Sequence, residues 1–331
     1  MRRTVVSLLL LAACGDNAKG IELDELDMTR RAAECERYTR CGLFDDEDAC
    51  NTFFRAAKDP NLFEQVSRGL IRFDPLAAEA CNRAIAQLGC DVTDREVRIL
   101  PDVCNHVLIG TLPTAATCVA DRECASRHCS APSCGRDACC AGGCEAYAAP
   151  AHVGEACTDE IGCEAAAFCG RDLTCHVLGS LGAACDADDE CAFGTACVGA
   201  TEFQAGACRV LPKLGEECPY LRCAEIGARC SAEQMCVPAG VTGASCTRDG
   251  ECSRFYTCDP TSNQCVELPQ LGMPCSGRCA GESFCDVVSG QSVCIPPQPN
   301  AAPCTADNQC LTAYCEEGPI FDQCGSEAVC F

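Results

Sequence analysis

The 331-residue chain has no tryptophan, five tyrosines and three lysines. With so few large aromatics it cannot fill one sizeable core, since these side chains bring the most buried area per residue. Three lysines and a formal net charge of −23 exclude a phosphate-gripping basic face, so no nucleic acid is expected as a partner. Catalytic vocabulary is thin as well. The four histidines, His106, His128, His152 and His176, form neither H-x3-H nor HExxH, and G-x-S-x-G and glycine-rich phosphate loops are absent. No C-x-x-C occurs, which removes the signature of a thiol oxidoreductase or a zinc ribbon. The expectation is a protein that is not an enzyme, with no cofactor and no metal site.

What the chain has is cysteine, 39 in 331 residues, above the level that marks a disulfide scaffold. Cross-links of about 2–4 kcal/mol each replace a missing core in small units. Disulfides persist in oxidising compartments, so export is expected. Arg2 and Arg3 precede a nine-residue apolar run, Val5 to Ala13, interrupted only by Ser7. A bilayer core needs roughly 20 apolar residues, so 1–13 reads as a signal peptide rather than a span. Setting Cys14 apart from the 39 cysteines leaves 38, an even number that can all pair.

Leu11-Ala12-Ala13-Cys14 resembles the lipobox of bacterial lipoproteins. The resemblance implies cleavage before Cys14, a diacylglyceryl group on its thiol and acylation of the new amine. Several acyl chains hold a protein firmly where one does not. A membrane is therefore an expected partner through Cys14, and Gly15 after it implies the outer membrane. Residues 14–20 read as the lipidated cysteine and a tether.

Residues 21–113 read as a small all-α domain with six cysteines, at 35, 41, 50, 81, 90 and 104. Fifteen connectivities would give it three disulfides. Helices are expected over 22–40 (stopped at Gly42), 45–58 (broken by Asp59-Pro60), 61–70 and 102–108. The clearest spans 74–89, with Asp74 as N-cap, Pro75 at the first position and Gly89 as the stop.

Residues 151–303 repeat. Cys157, Cys163, Cys169 and Cys175 open a series of five four-cysteine units whose first cysteine recurs every 28 to 33 residues. A glycine stands three residues before each: Gly154, Gly182, Gly215, Gly243 and Gly272. These glycines suit positive-φ turns between units. Each unit allows three connectivities. Pairing first to third and second to fourth traps a compact loop pair and gives Cys157–Cys169 and Cys163–Cys175. Phe168, Phe193, Phe255 and Phe284 are expected to pack on the disulfides of their own units. The fold class is thus a small disulfide-stapled all-α domain followed by an array of small, loop-dominated, disulfide-rich modules with short β strands. The flanking units, 114–150 with seven cysteines and 304–331 with five, are odd-numbered. Either a bridge crosses unit boundaries or two thiols stay free.

CVADRECASRHCSAPSCGRDACCAGGC, Cys118 to Cys144, carries an early C-x5-C-x4-C and a late CC-x3-C. It resembles the Dickkopf-type N-terminal cysteine-rich module, which implies a short-stranded binding or spacer unit. The second Dickkopf domain is missing, so no signalling function is implied. As a whole, the lipobox, the six-cysteine helical region and the C-x5-C repeats resemble cysteine-rich lipoproteins of myxobacteria.

The acidic runs Asp45-Asp46-Glu47-Asp48 and Asp186-Ala187-Asp188-Asp189-Glu190 lack EF-hand spacing, and the first opens a helix, where acids are favoured anyway. The functional expectation is a lipid-anchored protein of the bacterial cell envelope. Its array would bind or adhere to an extracellular protein or glycan through the long loops 198–207, 286–293 and 316–323. Stretched at roughly 15–20 Å per unit, such an array would project well over ~100 Å. A structural protein cross-linked through the odd cysteines is one alternative. A protease inhibitor presenting Arg136, Arg171 or Arg248 is another.

Overall fold

The computed structural model describes residues 20–54, 60–99, 101–130, 141–146, 150–158, 162–164, 166–201, 203–281, 283–288, 290–298, 315–316 and 323–324. Cys14, the extra cysteines 134, 139 and 140, and Cys304, Cys310 and Cys330 lie outside them, as does Arg136. Within these limits the protein is disulfide-rich and loop-dominated, with many short strands and a small helical region before them.

The first helix, α1 (Leu26–Arg40), buries Leu26, Ala33 and Cys35. Gly42 at φ +73° ends it in a left-handed turn, its amide donating to Thr39 O while Leu43 donates to Tyr38 O. The second, α2 (Glu47–Phe53), starts where the Asp46 carboxylate accepts from the Ala49 amide. A third, α3 (Pro60–Ser67), precedes strand β1 (Ile71–Phe73). Asp74 caps α4 (Pro75–Gln87) by accepting from Leu76 and Ala77. Gly89 is not its stop. Leu88 turns extended (ψ 141°) and is buried, so the helix ends one residue earlier by sending a leucine into the core. A single turn, α5 (Arg95–Arg98), and a 3-10 turn, Asp102–His106, lead to strand β2 (Leu108–Gly110). This strand pairs antiparallel with β1, so the domain is not all-α. Ile71 in the pair is nearly inaccessible and joins Leu26, Leu62, Ala78, Ile85 and Val107 in the core. Cys35–Cys50, Cys41–Cys90 and Cys81–Cys104 staple the domain.

Six units follow, with first cysteines 118, 157, 185, 218, 246 and 275. In each, the first cysteine bonds the third, and the second bonds the fourth; Cys157–Cys169 and Cys163–Cys175 are one such pair. Unit one follows the same rule with Cys118–Cys129 and Cys124–Cys144. The third and fourth cysteines stand directly opposite each other on an antiparallel hairpin, as Cys258 does with Cys265. Each hinge glycine has φ between +76° and +87°, and its amide donates to the carbonyl of the fourth cysteine. Unit one places Ala115 there instead, at φ +66°, making the same bond to Cys144. A non-glycine residue in this region is strained, so the frame, not local preference, holds it.

The array is folded back against the helical domain, not stretched away from it. Val92 donates to Ala224 O and Ile226 donates to Cys90 O, a short strand-like seam between the domain and unit four. A Cβ on Gly227 would lie 1.8 Å from Cys41 O, so only glycine permits this approach. Gly194 of unit three donates to Thr93 O. Unit five brings Phe255 and Tyr256 against Tyr38, Phe44, Phe53 and Phe54. Phe255 therefore packs on the helical domain and not on its own disulfides, and Phe193 likewise lies under Arg95, 5.8 Å from its guanidinium. The physical reason is area. Burying a phenylalanine side chain stabilises by about 1.5–3 kcal/mol, more than a four-cysteine unit can supply from its own apolar atoms.

Candidate functional site

The chemistry of each unit starts with its acidic residues. The segment C-x2-D-x-E-C recurs in units one, three and five and forms a 3-10 turn, Asp121–Glu123, Asp188–Glu190 and Asp249–Glu251. In all three the glutamate accepts from the amide of the residue after the first cysteine, at 2.9, 2.7 and 2.7 Å. In all three the aspartate accepts from the amide of the third cysteine, at 2.7, 2.9 and 2.8 Å. These two bonds tie the loop between the bridges to the hairpin. They also lower the pKa values of unit five's acids, Asp249 chiefly through the Cys258 amide and Glu251 chiefly through the Thr247 amide.

The acidic runs are thereby accounted for as structure. In DADDE, Asp188 also meets Arg222 of unit four at 2.7 Å, while Glu190 holds its own loop. In DDED, Asp46 is the cap of α2, and Asp45 accepts from the Thr242 amide of unit five. Cysteine sulfurs converge in threes, for example Cys118, Cys124 and Cys129. These are sulfurs of crossed disulfides, without the thiolates a metal requires. Each histidine stands beside a carboxylate: His106 by Asp102 (3.7 Å), His128 by Glu145 (3.4 Å), His152 by Glu164 (3.2 Å) and His176 by Asp172 (2.9 Å). The hydrogen bond to Glu164 raises the pKa of His152, and the bond from His176 lowers that of Asp172. Of the arginines expected as inhibitor contacts, Arg171 lies 3.4 Å from Asp186 and Arg248 lies 3.7 Å from Glu251.

The frame presents exposed apolar groups. The hairpin of unit three, Ala196–Val198 with Gly206–Arg209, closes through mutual backbone bonds between Thr201 and Gln204. Phe203 at its tip is 92% exposed. Val287 sits exposed near the tip of the unit-six hairpin, and Leu221 projects from the first loop of unit four at 72% exposure. Of the loop 316–323, only its edge residues Glu316 and Gln323 are described, paired in a short ladder. A second set was missed in the sequence. Val153, Leu181, Leu214 and Leu271 each precede a hinge glycine and are exposed. Their signal was present as VG, LG, LG and LG three residues before a first cysteine. At the same place in unit five stands Thr242, and there the turn is docked on Asp45.

Fifteen bridges among the described residues require an oxidising compartment to form and persist. Among those residues, no helix is long and apolar enough to cross a membrane. Comparison with known proteins gives one informative likeness. Over 148 residues the chain is 34% identical to Cell-cell adhesion glycoprotein 64 of Heterostelium pallidum, a match that covers 42% of this chain and 45% of that protein. The chain thus spans less than half the length of that relative. No family model and no solved structure matches the chain.

Proposed function

We propose that this protein is a non-catalytic adhesion or binding module of the bacterial cell surface, held at the outer membrane by lipid on Cys14. The observation that carries the reading is the set of exposed apolar tips, led by Phe203, on hairpins that crossed disulfides keep rigid. Large apolar groups on rigid supports are the usual anchors of recognition, because little conformational freedom is lost when they are covered. The 34% identity to a protein named for cell–cell adhesion agrees with it. Its partner would be an extracellular protein or glycan.

Two measurements test the reading. The first is the mass of the N-terminal tryptic peptide, Cys14 to Lys19, from protein made in a bacterium with a lipoprotein pathway. It should be heavier by a diacylglyceryl group and an acyl chain; an unmodified peptide refutes the anchor. The second is the clustering, or binding to producer cells, of beads that carry the mature protein. Phe203→Ser should weaken it. Beads that neither cluster nor bind cells, with the protein folded, refute adhesion.

A further inference from the structure

The junction between α1 and unit five holds a cationic group that the fold does not use. Arg37 and Tyr38 lie in the last turns of α1, and Arg254 and Phe255 follow the second cysteine of unit five. The guanidinium carbons of Arg37 and Arg254 lie 6.0 and 5.9 Å from the Tyr38 ring centroid, and Arg254 lies 4.7 Å from that of Phe255. Arg37 donates through Nε to Gly89 O. Among the described residues the exposed side chain of Arg254 makes no hydrogen bond, and neither arginine has an ion-pair partner.

That is out of character for this chain. It carries 48 carboxylates against 25 lysines and arginines. Arg30, Arg83, Arg171, Arg222 and Arg248 each sit within 4 Å of a carboxylate. At the junction, two guanidiniums instead share an aromatic ring, with Arg40 close behind them. The arrangement is costly: burial lowers the pKa of Arg37, and the charges of Arg40 and Arg254 lower it further. An anion seated there would relieve the repulsion. Guanidinium forks give paired donors to an oxyanion, and the rings beneath keep their planes in place.

We propose that Arg37, Tyr38 and Arg254 form a binding site for an acidic saccharide, one carrying carboxylate or sulfate groups. The proposal rests on the binding reading above and names its ligand class. A saccharide fits the mixture of groups: oxyanions meet the arginines, and hydroxyls and C–H faces meet the Tyr38 edge and the Phe255 surroundings. The site exists only when unit five is docked on α1, because each side supplies one arginine. A bound ligand would therefore hold the array closed.

The test is titration calorimetry of the full mature chain with polygalacturonate, dextran sulfate, neutral dextran and polyglutamate. One or both acidic polysaccharides should bind, more weakly as salt rises, and neutral dextran should not. Arg254→Ala should weaken binding by about tenfold or more, and Arg254→Glu should abolish it. Arg254 is exposed, so thermal unfolding of either variant without ligand should match the parent. Arg37→Lys keeps the charge and loses the fork, and should bind at an intermediate level. Equal binding by Arg254→Glu, or no preference for acidic over neutral dextran, overturns the proposal. Polyglutamate bound as tightly as the polysaccharides overturns the saccharide assignment. Bead clustering that persists in Arg254→Glu while no acidic polysaccharide binds sinks this site and leaves adhesion standing. Polysaccharide binding without clustering does the reverse.

Discussion

Replacing Phe44 with alanine should open the joint between the helical domain and unit five while leaving each folded. Phe44 is 4% exposed. Its ring centroid lies 4.6 Å from that of Phe255, 5.7 Å from Phe53, 5.9 Å from Phe54 and 6.1 Å from Tyr256. A phenylalanine-to-alanine change in such a core costs about 3–5 kcal/mol, from lost transfer energy and the cavity left behind. Cys35–Cys50 on one side and Cys252–Cys265 on the other remain, so each side keeps its own frame. The loss falls on the joint, and the ratio of closed to open forms drops by about two to four orders of magnitude at 1.4 kcal/mol per tenfold. Hydrogen exchange reads this directly. The Thr242 amide donates across the joint to Asp45, whereas the Cys265 amide donates within unit five to Ala244 O. Exchange at Thr242 should accelerate by about a hundredfold or more, limited by opening, with Cys265 unchanged. Unchanged exchange at Thr242 refutes the docked arrangement, and equal acceleration at both amides refutes the independence of the frame.

Three further outcomes follow from the geometry. Glu123 is 2% exposed and accepts from Gln65 Nε2 and from the Val119 amide, both at 2.9 Å; Glu123→Ala strands two buried donors and should lower stability by about 2–4 kcal/mol in urea titration, a loss under about 0.5 kcal/mol contradicting the role. Asp249 and Glu251 have lowered native pKa values, so their stabilisation is present above the unfolded carboxylate range and is lost as pH falls through the native values. Amides of unit five should therefore exchange faster, relative to intrinsic rates, below about pH 4, and Asp249→Asn should flatten that acid dependence. Removing the Cys157–Cys169 bridge by a double serine substitution releases a loop of sequence separation 12 and should cost unit two about 3 kcal/mol. Limited proteolysis at Arg171 should accelerate, and an unchanged cutting rate goes against the staple.

The features legible in the sequence are those that repeat at short range. The cysteine spacing announces the units, and the glycine three residues before each first cysteine announces the turn, because only local backbone geometry is involved. Asp74 and Pro75 mark the start of α4 for the same reason. The acids of C-x2-D-x-E-C were visible but read as bulk charge. Their role depends on amides supplied by the folded unit, four residues back for Glu190 and nine ahead for Asp188. Least legible was the docking. Phe44 and Phe255 meet across more than 200 residues of chain, and no local pattern encodes such a pairing. β1 and β2 escaped for a similar reason: each is three residues long and pairs with a strand far along the chain. Ala115 hides its turn because the bridges of unit one impose a conformation that alanine does not advertise.

Small-angle scattering of the mature, oxidised protein tests most directly whether the array is folded back on the helical domain. A compact chain of 331 residues has a radius of gyration of about 20 Å, and a value of about 20–25 Å is the result expected. An array projecting over 100 Å or so would give about 30 Å or more with a rod-like profile, and that result would contradict the docked architecture on which the junction site depends.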